Sequence, residues 1–336
     1  MAEQHDMILE SPENEVPQSS DMNIIKKIFK NRFGHIRAGW RMLAYLILTI
    51  GIAAPVTLYL DSLRVAAGDP IDIVSIWKLI GDLSLITITI LTAYIVLRWI
   101  DKRPFGLLGL SFTPGWFKEL NIGLAMGFGI MTIMFLIFWI TGINEVSAGA
   151  MNIDVVKTLL GMMVIFIFAG IIEEIITRGY LLQTLAEGSR QWIAMGVFSF
   201  LFTLAHLLNP NWSLAGAINI FLAGILLSVG YFKTRSLWLP NGLHMAWNWT
   251  QGPLWGMNVS GFDIPNTFMV STPVGPEWLS GGAFGAEGSY LSSIAIAVLI
   301  WYIWKAEWIK PSEVNAALWD KYPEGFGLVK NRRWLK

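Results

Sequence analysis

The chain has 336 residues, 54% hydrophobic and only 14% charged, with 24 Lys+Arg balanced by 24 Asp+Glu. A soluble domain carries about a quarter charged residues, so a mean hydropathy of +0.53 points to a chain with several membrane spans. Zero net charge gives no electrostatic footing for nucleic acid as a partner, and the absence of cysteine excludes disulfides, thiolate catalysis and Cys-based zinc sites.

Residues 1–41 form a polar segment that turns basic before the first apolar run. Its first 23 residues lack the basic n-region and short apolar h-region of a signal peptide, which predicts insertion through a retained helix. Three spans follow within 42–150, at 42–60, 79–100 and 120–141. Four more fall within 151–252, at 159–182, 192–208, 214–232 and 237–250. A Gly- and Pro-rich connection over 253–290 carries Asp263, Glu277 and Glu287. The last region, 291–336, holds a span at 291–304 and a basic tail whose Trp308, Trp319 and Trp334 suit a membrane surface. The expected fold is an all-α, polytopic membrane helix bundle of about eight transmembrane helices, each matched to a bilayer core of ~30 Å at ~1.5 Å per residue.

Loop charge predicts the orientation. With both termini cytoplasmic, 21 of the 24 Lys and Arg residues lie inside and only Arg64, Lys78 and Lys157 lie outside. An odd number of spans would put one basic terminus outside.

Ionisable groups within apolar spans cost several kcal/mol unless paired or facing a wet cavity, so they are informative. The fourth span contains Glu173-Glu174 and, four residues after the second acid, Arg178. At that spacing Glu174 and Arg178 share a helix face and can neutralise each other, while Glu173 is rotated by ~100° and has no local partner. The bland reading is an interfacial Glu-Arg cluster. The fifth span carries Phe202 and His206, and a lone His in an apolar helix is more often a packing residue than a catalyst. In the seventh span His244 and Asn248 point the same way, as an interhelical hydrogen-bonding pair would. The remaining histidines, His5 and His35, fall in the polar N-terminal region.

Depth argues for grouping these residues. Counted from the turn near Gly188-Ser189, Glu173 and His206 both lie ~22–26 Å deep. His244 is too shallow for a helix running from Ser236, and an extended Ser236–Pro240 stretch covering ~13 Å would bring it to ~19 Å.

Taken in order, Glu173-Glu174…Arg178, Phe202…His206 and His244…Asn248 resemble the three motifs of the CAAX-protease and bacteriocin-processing family, also called Abi, which includes the type II CAAX prenyl endopeptidases. The stretch Thr234–Pro240 is similar to the family's segment before the third motif, with Arg235 where Gly is commoner, and Gly281–Gly288 is similar to a Gly-rich stretch of bacterial members. The resemblance covers about a hundred residues. It implies an intramembrane endopeptidase in which Glu173 is the general base on a water held with His206. His244 and Asn248 stabilise the oxyanion, with Glu174, Arg178 and Phe202 as structural support. It also leaves zinc as an alternative, with Glu173, His206 and His244 as a His₂Glu ligand set; inhibition by chelator and rescue by zinc would separate the two.

Other intramembrane protease chemistries lack their motifs: there is no His-Glu-x-x-His, Gly-x-Ser-Gly or Gly-x-Gly-Asp. Two different functions compete with the enzyme: a non-catalytic immunity or regulatory protein of the same fold, and a proton-coupled transporter, for which no internal repeat speaks. The expected partners are the lipid bilayer and a membrane-associated peptide or protein substrate, and the expected location is a bacterial plasma membrane.

Overall fold

The computed structural model describes residues 28–31, 34–69 and 75–321. Most of the 1–41 segment, including His5, Lys26, Lys27 and Arg32, lies outside the described residues, as does Trp334 with the end of the basic tail. His35 is exposed.

The architecture is the expected membrane helix bundle. Helices α1 (Ala38–Ala66), α2 (Ile76–Ile95, continued by a π turn through Ile100), α3 (Trp116–Ile140), α4 (Ile153–Glu174) and α6 (Leu214–Thr234) are each part of a run long and apolar enough to cross a bilayer. The α4 run continues unbroken to Gly188, through a π segment at Ile175–Leu182. Helices α5 (Gln191–His206) and α8 (Tyr290–Lys305) are apolar but shorter. Helix α7 (Trp238–Trp249) has 12 residues and continues as a π segment to Leu254. A short α9 (Glu313–Lys321) follows. Each of the eight expected segments falls on one of α1–α8, of which five are long and apolar enough to cross a bilayer.

Backbone contact with α3 holds α7 inside the bundle. Gly123 and Gly127 of α3 are one helical turn apart and face Leu239 and Leu243 of α7, while Gly242 of α7 faces Leu120. A Cβ at any of the three would run into a carbonyl of the other helix. Small residues spaced four apart allow such approach in an apolar solvent, where packing rather than the hydrophobic effect joins helices. Around this seam Met131, Phe135, Leu226, Leu243, Trp247 and Ile296 form one buried cluster. A second cluster, with Tyr45, Leu97, Leu107, Leu108 and Tyr180, lies nearer the α4–α5 turn. There a buried ion network joins three elements: Arg41 bonds Asp101 at 3.2 Å and also Glu187, which Arg103 shares.

Three expectations need correction. The Ser236–Pro240 stretch is not extended: Leu237 is already in the right-handed helical region and α7 starts at Trp238. His244 gains its depth in another way. Ser236 and Leu237 are fully buried, and the Leu237 N–H bonds the Gly109 carbonyl at 2.9 Å, so the α6–α7 turn lies beneath the 105–111 loop rather than at a surface. Trp319 does not rest on a membrane surface. It is 3% exposed, packs against Tyr231 and lies under the Arg235 guanidinium; Trp308 remains half-exposed. Finally, the all-α bundle carries a two-stranded antiparallel ribbon, β1 (Asn144–Ala148) with β2 (Met269–Pro273), pairing Asn144 with Pro273 through Ala148 with Met269. The ribbon ties the α3–α4 connection to the long 255–289 loop, and the stacked rings of Phe135 and Trp255, 4.3 Å apart, anchor that loop to α3.

Candidate active site

Helix α4 changes from α to π geometry directly after Glu173-Glu174, a local widening that is frequent at functional sites. The two acids then meet different surroundings. Glu174 and Arg178 are both fully buried and joined at 3.0 Å. Arg178 also donates to Thr177 Oγ1 at 2.8 Å and to the Gly224 carbonyl of α6, and its guanidinium lies 4.6 Å from the centre of the Phe202 ring. Its charge is thus used within α4 and against α5 and α6. Among the described residues none donates a hydrogen bond to the Glu173 carboxylate; its Oε2 is buried and its side chain is 37% exposed.

Helix α5 ends at His206, just before Asn209-Pro210, where proline disfavours continuation. The end of the helix leaves carbonyls unpaired, and His206 uses its ring to satisfy one: Nδ1–H donates to the Phe202 carbonyl at 2.8 Å. This bond places a proton on Nδ1, so that in a neutral ring Nε2 is the nitrogen with the lone pair. Phe202 supports the ring at 4.4 Å between centroids and also meets the His244 ring edge-on at 6.3 Å.

His244, on α7, bridges the two acids. Its Nδ1 is 3.2 Å from Glu174 Oε1 and its Nε2 is 3.8 Å from Glu173 Oε2. Asn248, one turn further, makes no side-chain hydrogen bond among the described residues. Glu173, Phe202, His206, His244 and Asn248 all line one cavity of about 350 Å³, whose remaining wall is largely apolar and includes Met162, Phe166, Leu226 and Trp247. Glu174 and Arg178 do not line it but stand behind it. The residues singled out from sequence are therefore brought together, with two of the seven in a supporting layer.

The zinc alternative fares less well. Among the described residues no group of three His, Cys, Asp or Glu side chains is arranged to hold a metal ion. Glu173, His206 and His244 share a wall without the convergence that tetrahedral coordination needs.

Several polar cavity residues were not anticipated, Lys78, Asn209 and Asn219 among them. Glu287, from the glycine-rich stretch, and Ser260, which bonds it, also line the cavity. An acid flanked by Gly285 and Gly288 in an otherwise apolar-to-neutral stretch was the only sequence signal available, and hydropathy treats it as a loop charge.

Residues 155–250 match the family model for Rce1-like type II CAAX prenyl endopeptidases. No curated protein and no solved structure matches the chain. The matched segment contains all seven motif residues, from Glu173 to Asn248.

Proposed function

We propose, from the Rce1-like match over residues 155–250 and the cavity within it, that this integral membrane protein is an intramembrane endopeptidase of the CAAX-protease type. The observation that carries the reading is the meeting of Glu173, His206, His244 and Asn248, drawn from three helices, on one largely apolar cavity.

The chemistry follows from the free atoms. A water between Glu173 and the bare Nε2 of His206 loses a proton to the Glu173 carboxylate as its oxygen attacks the peptide carbonyl carbon. The carbonyl oxygen becomes an oxyanion. Asn248 Nδ2 has no other partner among the described residues and is available to donate to it. His244 donates through Nε2–H when its ring is doubly protonated, with Glu174 at Nδ1 balancing the charge. Collapse of the tetrahedral intermediate breaks the C–N bond, and Glu173 returns its proton to the leaving amine.

The substrate is a membrane-associated peptide or protein segment, since the apolar cavity wall suits apolar side chains. All of α1–α8 cross the bilayer in this reading, with both termini cytoplasmic in a bacterial plasma membrane, and α7 reaches across only with its π extension to Leu254. The test is comparative mass spectrometry of membrane peptides from cells carrying the wild-type chain or Glu173→Ala. Products present with the first and absent with the second support the protease. Identical peptide profiles, with both proteins present in the membrane, reject it.

A further inference from the structure

Glu287 faces the same cavity but has no role in the hydrolysis. It lies outside the long helices and is 9% exposed. Two separate devices fix it. Asn219, buried on α6, donates from Nδ2 to the Glu287 and Ser289 carbonyls, both at 2.7 Å. Ser260 donates its backbone N–H and its hydroxyl to Glu287 Oε2, again both at 2.7 Å. The stretch around it is built on glycines with left-handed backbone: at Gly281 (φ +86°) and Gly285 (φ +91°) a Cβ would run into the carbonyls of Gly285 and Asn258.

The carboxylate placed so carefully is short of a cation. Oε1 accepts no hydrogen bond, and among the described residues no Lys, Arg or His nitrogen lies within ion-pair distance of either oxygen. His206 and His244 line the same cavity, but neither contacts the carboxylate. Glu174, Asp82, Asp101 and Glu187, also withdrawn from solvent, each face a Lys or Arg. Glu119 lacks one too but does not line the cavity. Burial pushes the Glu287 carboxyl above the usual carboxylate range, as expected where charge is desolvated without a partner. Lys78 reaches the cavity, yet its ammonium is taken by both oxygens of Asp82. A buried carboxylate with one oxygen saturated and one bare, set in a mostly apolar hollow, is arranged to meet a cation from outside the chain.

We propose that Glu287 is a specificity-determining residue that receives the basic side chain, Lys or Arg, of a substrate peptide next to its scissile bond. The substrate and its scissile bond rest on the protease reading; the cation site itself does not. Oε2 stays with Ser260 while Oε1 accepts from the ammonium or guanidinium, and any proton held by the empty carboxyl leaves to water.

Binding tests this apart from cleavage. Full-length Glu173→Gln protein in lipid nanodiscs is titrated with fluorescent apolar peptides that differ at one scanned position, Lys against acetyl-lysine, norleucine or Glu. Lys at one register should bind about tenfold to a hundredfold more tightly than norleucine or acetyl-lysine, and Glu287→Gln should erase the difference. Equal binding of all four at every position, or a Lys preference that survives Glu287→Gln, overturns the proposal. Should that variant fail to fold, carbodiimide coupling of the bound Lys peptide decides instead: an amide mapped to Glu287 supports the site, and coupling confined to other carboxylates overturns it. Peptide cleavage by the wild type without any Lys preference sinks this inference alone, whereas Glu287-dependent binding without cleavage sinks only the protease.

Discussion

Removing the Arg178 side chain exposes how the supporting layer works. Arg178 is fully buried, donates to Glu174, Thr177 and the Gly224 carbonyl, and covers the Phe202 ring. Arg178→Met keeps much of the volume but leaves Glu174, also fully buried, with only His244 at 3.2 Å. Breaking one side of a buried pair costs about 3–5 kcal/mol, because the surviving charge is left uncompensated. A shift of that size lowers the melting temperature by on the order of 10 °C. The partner substitution should reverse the loss: in Glu174→Leu with Arg178→Met both charges are gone, and apolar replacement of a buried pair is often neutral or stabilising. The assay is the monodisperse fraction remaining after heating in mild detergent, measured for wild type, both singles and the double. The singles should fall and the double should recover most of the difference, a non-additivity expected for contacting residues. An Arg178→Met protein that melts with wild type, or a double no better than its worse parent, refutes the reasoning. The double should nonetheless be catalytically impaired, since His244 has lost its acceptor at Nδ1.

Three further outcomes follow from the geometry. His244→Ala and Asn248→Ala should each lower kcat by about 10²–10³ with little change in KM, as for loss of an oxyanion donor, read from steady-state cleavage. Gly127→Leu should separate α3 from α7, where even a Cβ meets the Leu243 carbonyl, and so lower both the melting temperature and kcat. Gly285→Val should displace the loop that carries Glu287, because its backbone is left-handed and abuts the Asn258 carbonyl; faster limited proteolysis within 255–289 would register this.

Much of the bundle was legible because apolar length is a nearly sufficient signal in a bilayer. The α4–α5 hairpin is the clearest case: its turn, its apolar arms and the approach of Glu173 and His206 to one cavity could be counted from residue spacing. The different pairing of the adjacent acids was also readable, since only Glu174 has Arg178 on its own helix face. What hydropathy could not supply was how helix ends sit in depth. The α6–α7 turn is buried under the 105–111 loop, which no local pattern encodes, and the extended stretch invoked to bring His244 to the right level is replaced by this burial. Trp319 misled for a related reason: an aromatic among charges reads as interfacial until a tertiary partner such as Tyr231 takes it. The glycine-rich loop hid Glu287 because its fixing bonds run to Ser260 and Asn219, remote in sequence.

Cleavage by paired single and double substitutions tests the shared water most directly. With a peptide that the wild type cuts, kcat is measured for Glu173→Ala, His206→Ala and the combination, each checked for folding. Residues that act on one water should lose about 10³-fold or more singly, with the double no slower than the worse single. Near-wild-type turnover in either single, or losses that multiply in the double, would mean that Glu173 and His206 do not work on the same water.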